Sequence, residues 1–413
     1  MSYFELLRGH RGLLSFGLLT AFASSFGQTF FISLFLPGFM TAFGLNTATV
    51  GLLYSVATLG SALLLPALGG RIDTASLRKY TVWVVVMLAA AALCVAFAPH
   101  FLLLGLGVLG LRLLGQGLLG HISQTVMARE FGAARGKALG VAGLGYPLGE
   151  ALLPIGFSVL IRFVEWRTAW ILVAVFLVGV VLPVTLRLLR NSAPAAAVQS
   201  KKKDSGFKFM LRDARLVFLM PAILVAPFAI TGLFLYQTVI AQSKGWAPEW
   251  IAAAFVVFAI ARAGSSVVVG PWIDRLTALR LLPAYALPLG LGALLLAVVE
   301  RPWIAFPYLS LVGVTAGFHG SVVAAVWAEL YGPENVGRAR SMASSLAVFS
   351  TAACPALMGW MFQRQVSLDA MLFGGAAVVA VTSALAMMPQ FAAYGTAARG
   401  MPVSSQARTA ERP

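Results

Sequence analysis

The chain has 413 residues, 60% of them hydrophobic and 11% charged, with a mean hydropathy of +0.88. Soluble domains run nearer roughly 45–50% apolar and about 25% charged, so an ordinary soluble fold is excluded and a polytopic membrane protein is indicated. The formal charge of +16 does not point to nucleic acid, because the cations cluster in short segments between apolar runs.

A bilayer core takes about 20 apolar residues per helix, and twelve such segments are predicted. Residues 12–70 contain no Asp, Glu, Lys or Arg, and a turn over 37–46 divides them into spans one (12–36) and two (47–70). Arg8 and Arg11 ahead of span one mimic a signal peptide, but the apolar run that follows is too long for one. Pro99 and His100 separate spans three (80–98) and four (101–127); spans five (137–162) and six (168–188) follow. A small, polar and basic stretch then reads as a flexible linker. The second half repeats the pattern at 215–241, 249–273, 280–299, 303–328, 338–362 and 369–392. The expected organisation is a six-helix bundle over 1–190, a cytoplasmic linker over 191–213, a second bundle over 214–394 and a disordered cytoplasmic tail over 395–413.

With the N-terminus inside, 23 of the 30 Lys and Arg residues fall on one side and five on the other, with Arg112 and Arg262 inside spans. That asymmetry predicts two cytoplasmic termini, in an inner or plasma membrane. The halves also match each other. Gly69-x-x-x-Asp73 returns as Gly270-x-x-x-Asp274, Gly136-Lys-Ala as Gly337-Arg-Ala, and Pro154 as Pro355, all at an offset of 201. A duplicated six-helix unit follows, with a site expected where the halves meet.

Twelve spans, a basic central loop and the two G-x-x-x-D loops resemble the major facilitator superfamily over the whole chain. The resemblance implies an all-α polytopic fold of two pseudo-symmetric six-helix bundles. It also implies a cytoplasmic gate at Gly69, Asp73, Gly270, Asp274 and Arg275, with Arg129, Arg135 and Lys137 as candidate partners of Asp73. The first copy departs from the usual pattern, with Thr74 where a basic residue normally follows Asp. More narrowly, Arg112-Leu-Leu-Gly-Gln116-Gly117, Arg135-Gly-Lys-Ala, Gly145-Tyr-Pro-Leu-Gly149-Glu150 and Pro154 look like the monocarboxylate and oxalate/formate carrier branch. Arg262 falls where that branch keeps a substrate-binding arginine. Span one, Phe26-Gly-Gln28-Thr-Phe-Phe31, lacks the acidic-Gly and Trp-rich signature of monocarboxylate carriers. The Gly145–Gly149 stretch also echoes the proline–glycine motif of drug/proton antiporters.

Only Arg112, Glu150 and Arg262 carry charge near the middle of spans, and such residues face cavities or partners. Counted from the hairpin between spans four and five, Arg112 and Glu150 differ in depth by about 3 Å, so they are expected to pair. Arg262 is then left without a central acidic partner, and the cavity carries a net +1 suited to a carboxylate held by a guanidinium fork. Glu150 reads either as a structural partner of Arg112 or as a proton carrier. Glycines 115, 117 and 120 predict close helix contact along span four.

Gln116 and Ser123 share the face of Arg112, whereas His121 lies on the opposite face and is expected to pack against another span. His319 is mid-span in helix ten and titrates in the useful range, a candidate for substrate or proton. Gln28, Tyr236 and Gln237 are lining candidates; Tyr54 and Tyr146 are weaker ones. Any of these polar groups can instead be satisfied between helices.

No phosphate-cradling loop, metal-ligand spacing or nucleophile elbow supports an enzyme, a cofactor or a metal, and Cys94 and Cys354 read as free thiols. The expected function is a secondary active transporter of a small organic anion, a carboxylate, with protons, working as a monomer in the bilayer. The alternatives are a proton-coupled drug or cation efflux antiporter and a transport-inactive sensor.

Overall fold

The computed structural model describes residues 3–190, 213 and 215–399; residues 191–212 and 214, most of the expected linker, and 400–413 of the expected tail lie outside that set. All described elements are helices. Ten are long and apolar enough to cross a membrane, from Thr47–Ile72 through Leu368–Met388. The chain is therefore a multi-pass membrane protein.

Two of the twelve expected segments depart from plain spans. Span one is a bent pair, Arg11–Gly27 and Thr29–Phe43, turned by 47° at Gln28. Gln28 is extended (φ −81°, ψ 153°), so the helix ladder is interrupted inside an apolar run. Span nine is reduced to the 12-residue helix Leu287–Val298, preceded by Ala278–Leu281 and turns. At 1.5 Å per residue that helix is about 18 Å long, short of a hydrocarbon core of about 30 Å. Pro283 accounts for the interruption because it has no amide to donate to the helix ladder; Leu282 before it keeps helical dihedrals (φ −55°, ψ −41°). Tyr285 in the turn donates to the Ala222 carbonyl (2.6 Å) and ties it to span seven.

The duplication is visible in the backbone at the same offset of 201. Helices begin at Thr47 and Pro248, Leu77 and Ala278, and Phe101, matched by the turn that starts at Pro302. Gly44 (φ 60°) and Gly245 (φ 66°) end the first and seventh spans in the left-handed conformation that glycine tolerates. Just before them Phe35 and Tyr236 take nearly the same dihedrals, −96°/−1° and −95°/14°.

The end carrying these glycines is called the Gly44 end below, and the opposite one the Asp274 end. At the Gly44 end the halves are fastened by polar contacts. Tyr236 reaches the Thr47 carbonyl (2.8 Å) and Pro355 carbonyl (3.0 Å) with its hydroxyl, and the Thr47 hydroxyl donates to the Gly359 carbonyl (3.1 Å). Gln237 donates to the Phe30 carbonyl (2.9 Å) and to Ser33. A Cβ on Gly51 or Gly359 would lie 2.3 Å from the Tyr236 hydroxyl, so both positions must stay bare for the tyrosine to seat.

Candidate functional site

Arg112 stands in a π-helical stretch, Leu111–Leu119, within the long helix Phe101–Glu130. π-Helical turns are rare and concentrate at functional sites. The distortion lies against the broken part of span one: a Cβ on Gly115 would come 2.8 Å from the Gly27 backbone, and one on Gly27 would come 2.1 Å from the Leu111 carbonyl. Two interrupted helices thus touch through bare backbone, as the small residues of span four predict.

Beside that contact Arg112 is 5% exposed. Its Nη1 donates to the Thr29 hydroxyl (3.4 Å), which also meets the Tyr54 hydroxyl (2.6 Å), and its Cζ sits 5.0 Å from the Tyr54 ring centroid. The expected Arg112–Glu150 ion pair is not among the described salt bridges. Glu150 instead pairs through Oε1 with Nη1 of Arg262, across the interface between the halves. The unpaired cation expected at Arg262 is therefore at Arg112. The cause is geometric. Equal depth leaves the direction around the helix open, and span eight presents its arginine to span five more directly than span four does.

Spans five and eight run antiparallel and carry a second bridge, Arg162 to Glu249 at 2.8 Å, toward the Gly44 end. The charges swap sides between the two rungs. The mid-depth rung is buried on the Glu150 side and about one-third exposed at Arg262; the other is more open, with Arg162 61% exposed.

Four polar atoms around this level are buried without a hydrogen-bond partner: Ser25 Oγ, Arg112 Nε, Gln116 Oε1 and Glu150 Oε2. The Tyr146 hydroxyl meets Gln124 (3.3 Å) and the Gly120 carbonyl (3.4 Å). His319 Nδ1 meets the Tyr285 hydroxyl (3.4 Å) and lines a cavity of about 150 Å³ with Ile223, Trp327 and Ala343.

Other expected residues fall elsewhere. Tyr236 and Gln237 are 0% and 4% exposed and fasten the halves rather than line an open cavity. Ser123 donates to the Gly17 carbonyl (2.7 Å) and is spent on span one. His121 lies near Gly69 of span two but stays exposed. Gln28 forms the break in span one.

At the Asp274 end the Asp73 side chain lies outside the described residues. Arg129 pairs with its neighbour Glu130 (3.1 Å). Asp213, ahead of span seven, accepts from Arg215 (2.8 Å) and the Tyr331 hydroxyl (2.9 Å), and Arg215 foremost holds its carboxyl below the usual range. Sequence reasoning missed Thr29, Arg162 and Glu249. An antiparallel register for spans five and eight exposes the last two, since residue numbers of facing pairs then sum to a nearly constant value.

Chemically, the level holds two guanidinium groups, one carboxylate, and hydroxyl and imidazole groups, in low-dielectric surroundings between two repeated bundles. Charged groups at this depth face a cavity or each other, and repeated bundles place a site where they meet. Two repeated helical bundles meeting at a charged centre are the arrangement of a membrane transporter.

The profile of the Major Facilitator Superfamily matches residues 17–346, and the chain belongs to that family. Among solved structures it is similar to a bacterial homolog of the human lysosomal transporter Spinster. In the inward-facing and unoccupied form the TM-score is 0.67 at 15% identity, covering 94% of this chain and 96% of that one. In the inward-facing and occupied form it is 0.65 at 14%, covering 96% and 98%. At these identities the likeness concerns the fold. No curated protein matches the sequence.

Proposed function

We propose that the chain carries a small organic anion, a carboxylate, together with protons by alternating access, in a plasma or inner membrane with both termini cytoplasmic. The observation that supports this reading is the Glu150–Arg262 pair, the mid-depth bridge between the halves, set beside a buried Arg112 that has no carboxylate on it. The net charge of the three is +1. A carboxylate entering between the bundles takes the fork of Arg262, the more exposed of the two arginines, and displaces Glu150 from it. Glu150 then loses its cation in a dry site, where an isolated carboxylate is costly, and takes up a proton. Anion binding and protonation become one event. With the charge asymmetry setting orientation, the fastened Gly44 end is the outer one, and Gly69, Asp73, Gly270, Asp274, Arg275 and Arg135 line the cytoplasmic gate.

The test begins with a thermal-shift panel of carboxylates, sugars and lipophilic cations on purified protein. A ligand at 100 times its Kd adds about 2.7 kcal/mol. Carboxylates should shift the melt and cations should not; the reverse result selects the cation antiporter. In proteoliposomes, Glu150→Gln should keep exchange of the carboxylate that scored but lose acceleration by an inward proton gradient. Gradient-driven uptake that survives this change rules out Glu150 as the proton site.

A further inference from the structure

Spans three and six leave a groove of about 580 Å³ on the N-terminal bundle, lined by Arg78, Lys79, Val82, Trp83, Val86 and Leu186. It lies at the Asp274 end, where span three begins at Leu77. Its two halves differ in chemistry. Arg78 and Lys79 are exposed, and no described ion pair includes either of them. Deeper along the span the lining is apolar, and Trp83 and Val86 are each 37% exposed on a helix that crosses the membrane. The Trp83 ring stacks at 6.3 Å on Tyr80, whose hydroxyl is held by the Leu68 carbonyl (2.9 Å), so the groove wall is fixed.

The duplicated half shows what the start of this helix takes. There the amides of Ala278 and Leu279 donate to the Glu329 carboxylate at 2.7 and 3.1 Å. The matching positions 201 residues earlier are Leu77, Arg78 and Ala128, so the N-terminal half supplies no carboxylate of its own from span four. It offers instead a helix start, two cations and an apolar wall. A helix start and cations attract an anion. The apolar wall below them is of no use to a free ion.

From this we infer that the groove between spans three and six binds an anionic phospholipid, with the headgroup phosphate on Arg78 and Lys79 and an acyl chain along Val82, Val86 and Leu186. Trp83 then sits about 6–8 Å below the headgroup phosphate, at the boundary between the polar and acyl regions. The occupant is a lipid rather than inorganic phosphate because only a lipid satisfies both parts of the groove. The inference stands apart from the identity of the transported solute, and needs only that the helices cross a bilayer.

The test uses the full chain in phosphatidylcholine nanodiscs or a zwitterionic detergent. It is titrated with short-chain phosphatidylglycerol, short-chain phosphatidylcholine and inorganic phosphate, and binding is read by native mass spectrometry and the thermal melt. Phosphatidylglycerol should bind and raise the melting temperature, and the other two probes should do neither. A cation near the headgroups contributes about fivefold in affinity, so Arg78→Gln/Lys79→Gln should weaken phosphatidylglycerol binding about 25-fold. Arg187→Gln/Arg190→Gln removes the same charge from residues outside the groove and should leave it within about twofold. If the double variant fails to fold, Lys79→Gln alone should still cost about fivefold. Equal losses in both double variants, no loss in either, or a shift reproduced by phosphate alone would each overturn the lipid site.

Discussion

The two halves share a backbone plan but place their arginines on opposite members of the same helix pair. In the N-terminal half the charge is on span four, at Arg112, and span two contributes small residues such as Ser61. In the C-terminal half the position equivalent to Arg112 is Gly313, and the arginine stands on span eight at Arg262, whose own equivalent is Ser61. The glycines make that exchange possible. A Cβ on Gly313 would meet the Phe258 carbonyl at 2.5 Å, and one on Gly317 would meet the Arg262 carbonyl at 2.5 Å, so span eight lies directly against span ten. The N-terminal half makes its closest contact instead between spans one and four, through Gly27 and Gly115, and distorts both helices there. Repetition set the scaffold, and the departures from it carry the chemistry.

The comparison breaks most visibly if the two arginines are removed in turn. Arg262→Gln leaves Glu150 buried without its cation and should cost about 3–5 kcal/mol of stability. Adding Glu150→Gln should restore most of it. Arg112→Gln strands no carboxylate and should cost only about 1.5–3 kcal/mol, with no rescue by Glu150→Gln. Melting curves of the unmodified protein, the two single variants and the two double variants in one detergent decide the matter. Equal rescue of both arginine variants would mean that the carboxylate serves both.

A second contrast lies at the Gly44 end, where Tyr236 seats between glycines while its repeat partner, Phe35, has no hydroxyl. Gly359→Ala should unseat the ring and open this end to a cysteine-directed label placed near Gln237. Tyr236→Phe should act more weakly, by about 1 kcal/mol. Labelling unchanged in both variants would remove the tyrosine as a fastener.

The smallest effect is expected from Arg162→Gln, which breaks the exposed rung between spans five and eight. An exposed ion pair contributes about 0–1 kcal/mol and fades with salt. A loss as large as that of Arg262→Gln, persisting in high salt, would contradict the burial difference between the rungs.

Much of this was legible in the sequence. Span positions follow from apolar length alone, and the 201-residue offset from Gly69/Gly270 and Pro154/Pro355 reappears in the backbone dihedrals of Phe35 and Tyr236. The pairing of Glu150 was not legible. Counting residues from a hairpin gives depth, but the choice between Arg112 and Arg262 depends on rotation about the helix and on how the bundles approach. The break at Gln28 was equally hidden, since no proline marks it and the Ser24, Ser25, Gly27 and Thr29 around it are all tolerated in membrane helices. It becomes intelligible only against the π-helical stretch it touches. Span nine was misjudged in extent because Leu282–Leu287 is apolar enough to read as helix despite Pro283.

The two rungs between spans five and eight set an order of events. Twelve residues separate Glu150 from Arg162, about 18 Å along the helix. If the bundles rock about the level of Glu150, a tilt of about 10° shifts the Arg162 end by about 3 Å, enough to pull that bridge apart. The inner bridge, close to the pivot, hardly changes length. Such rocking would unhook the Arg162 pair mechanically and leave the Glu150 pair to a competing charge. On the proposed cycle, one pair is a lever that reports posture and the other, at the fulcrum, a lock that answers to chemistry.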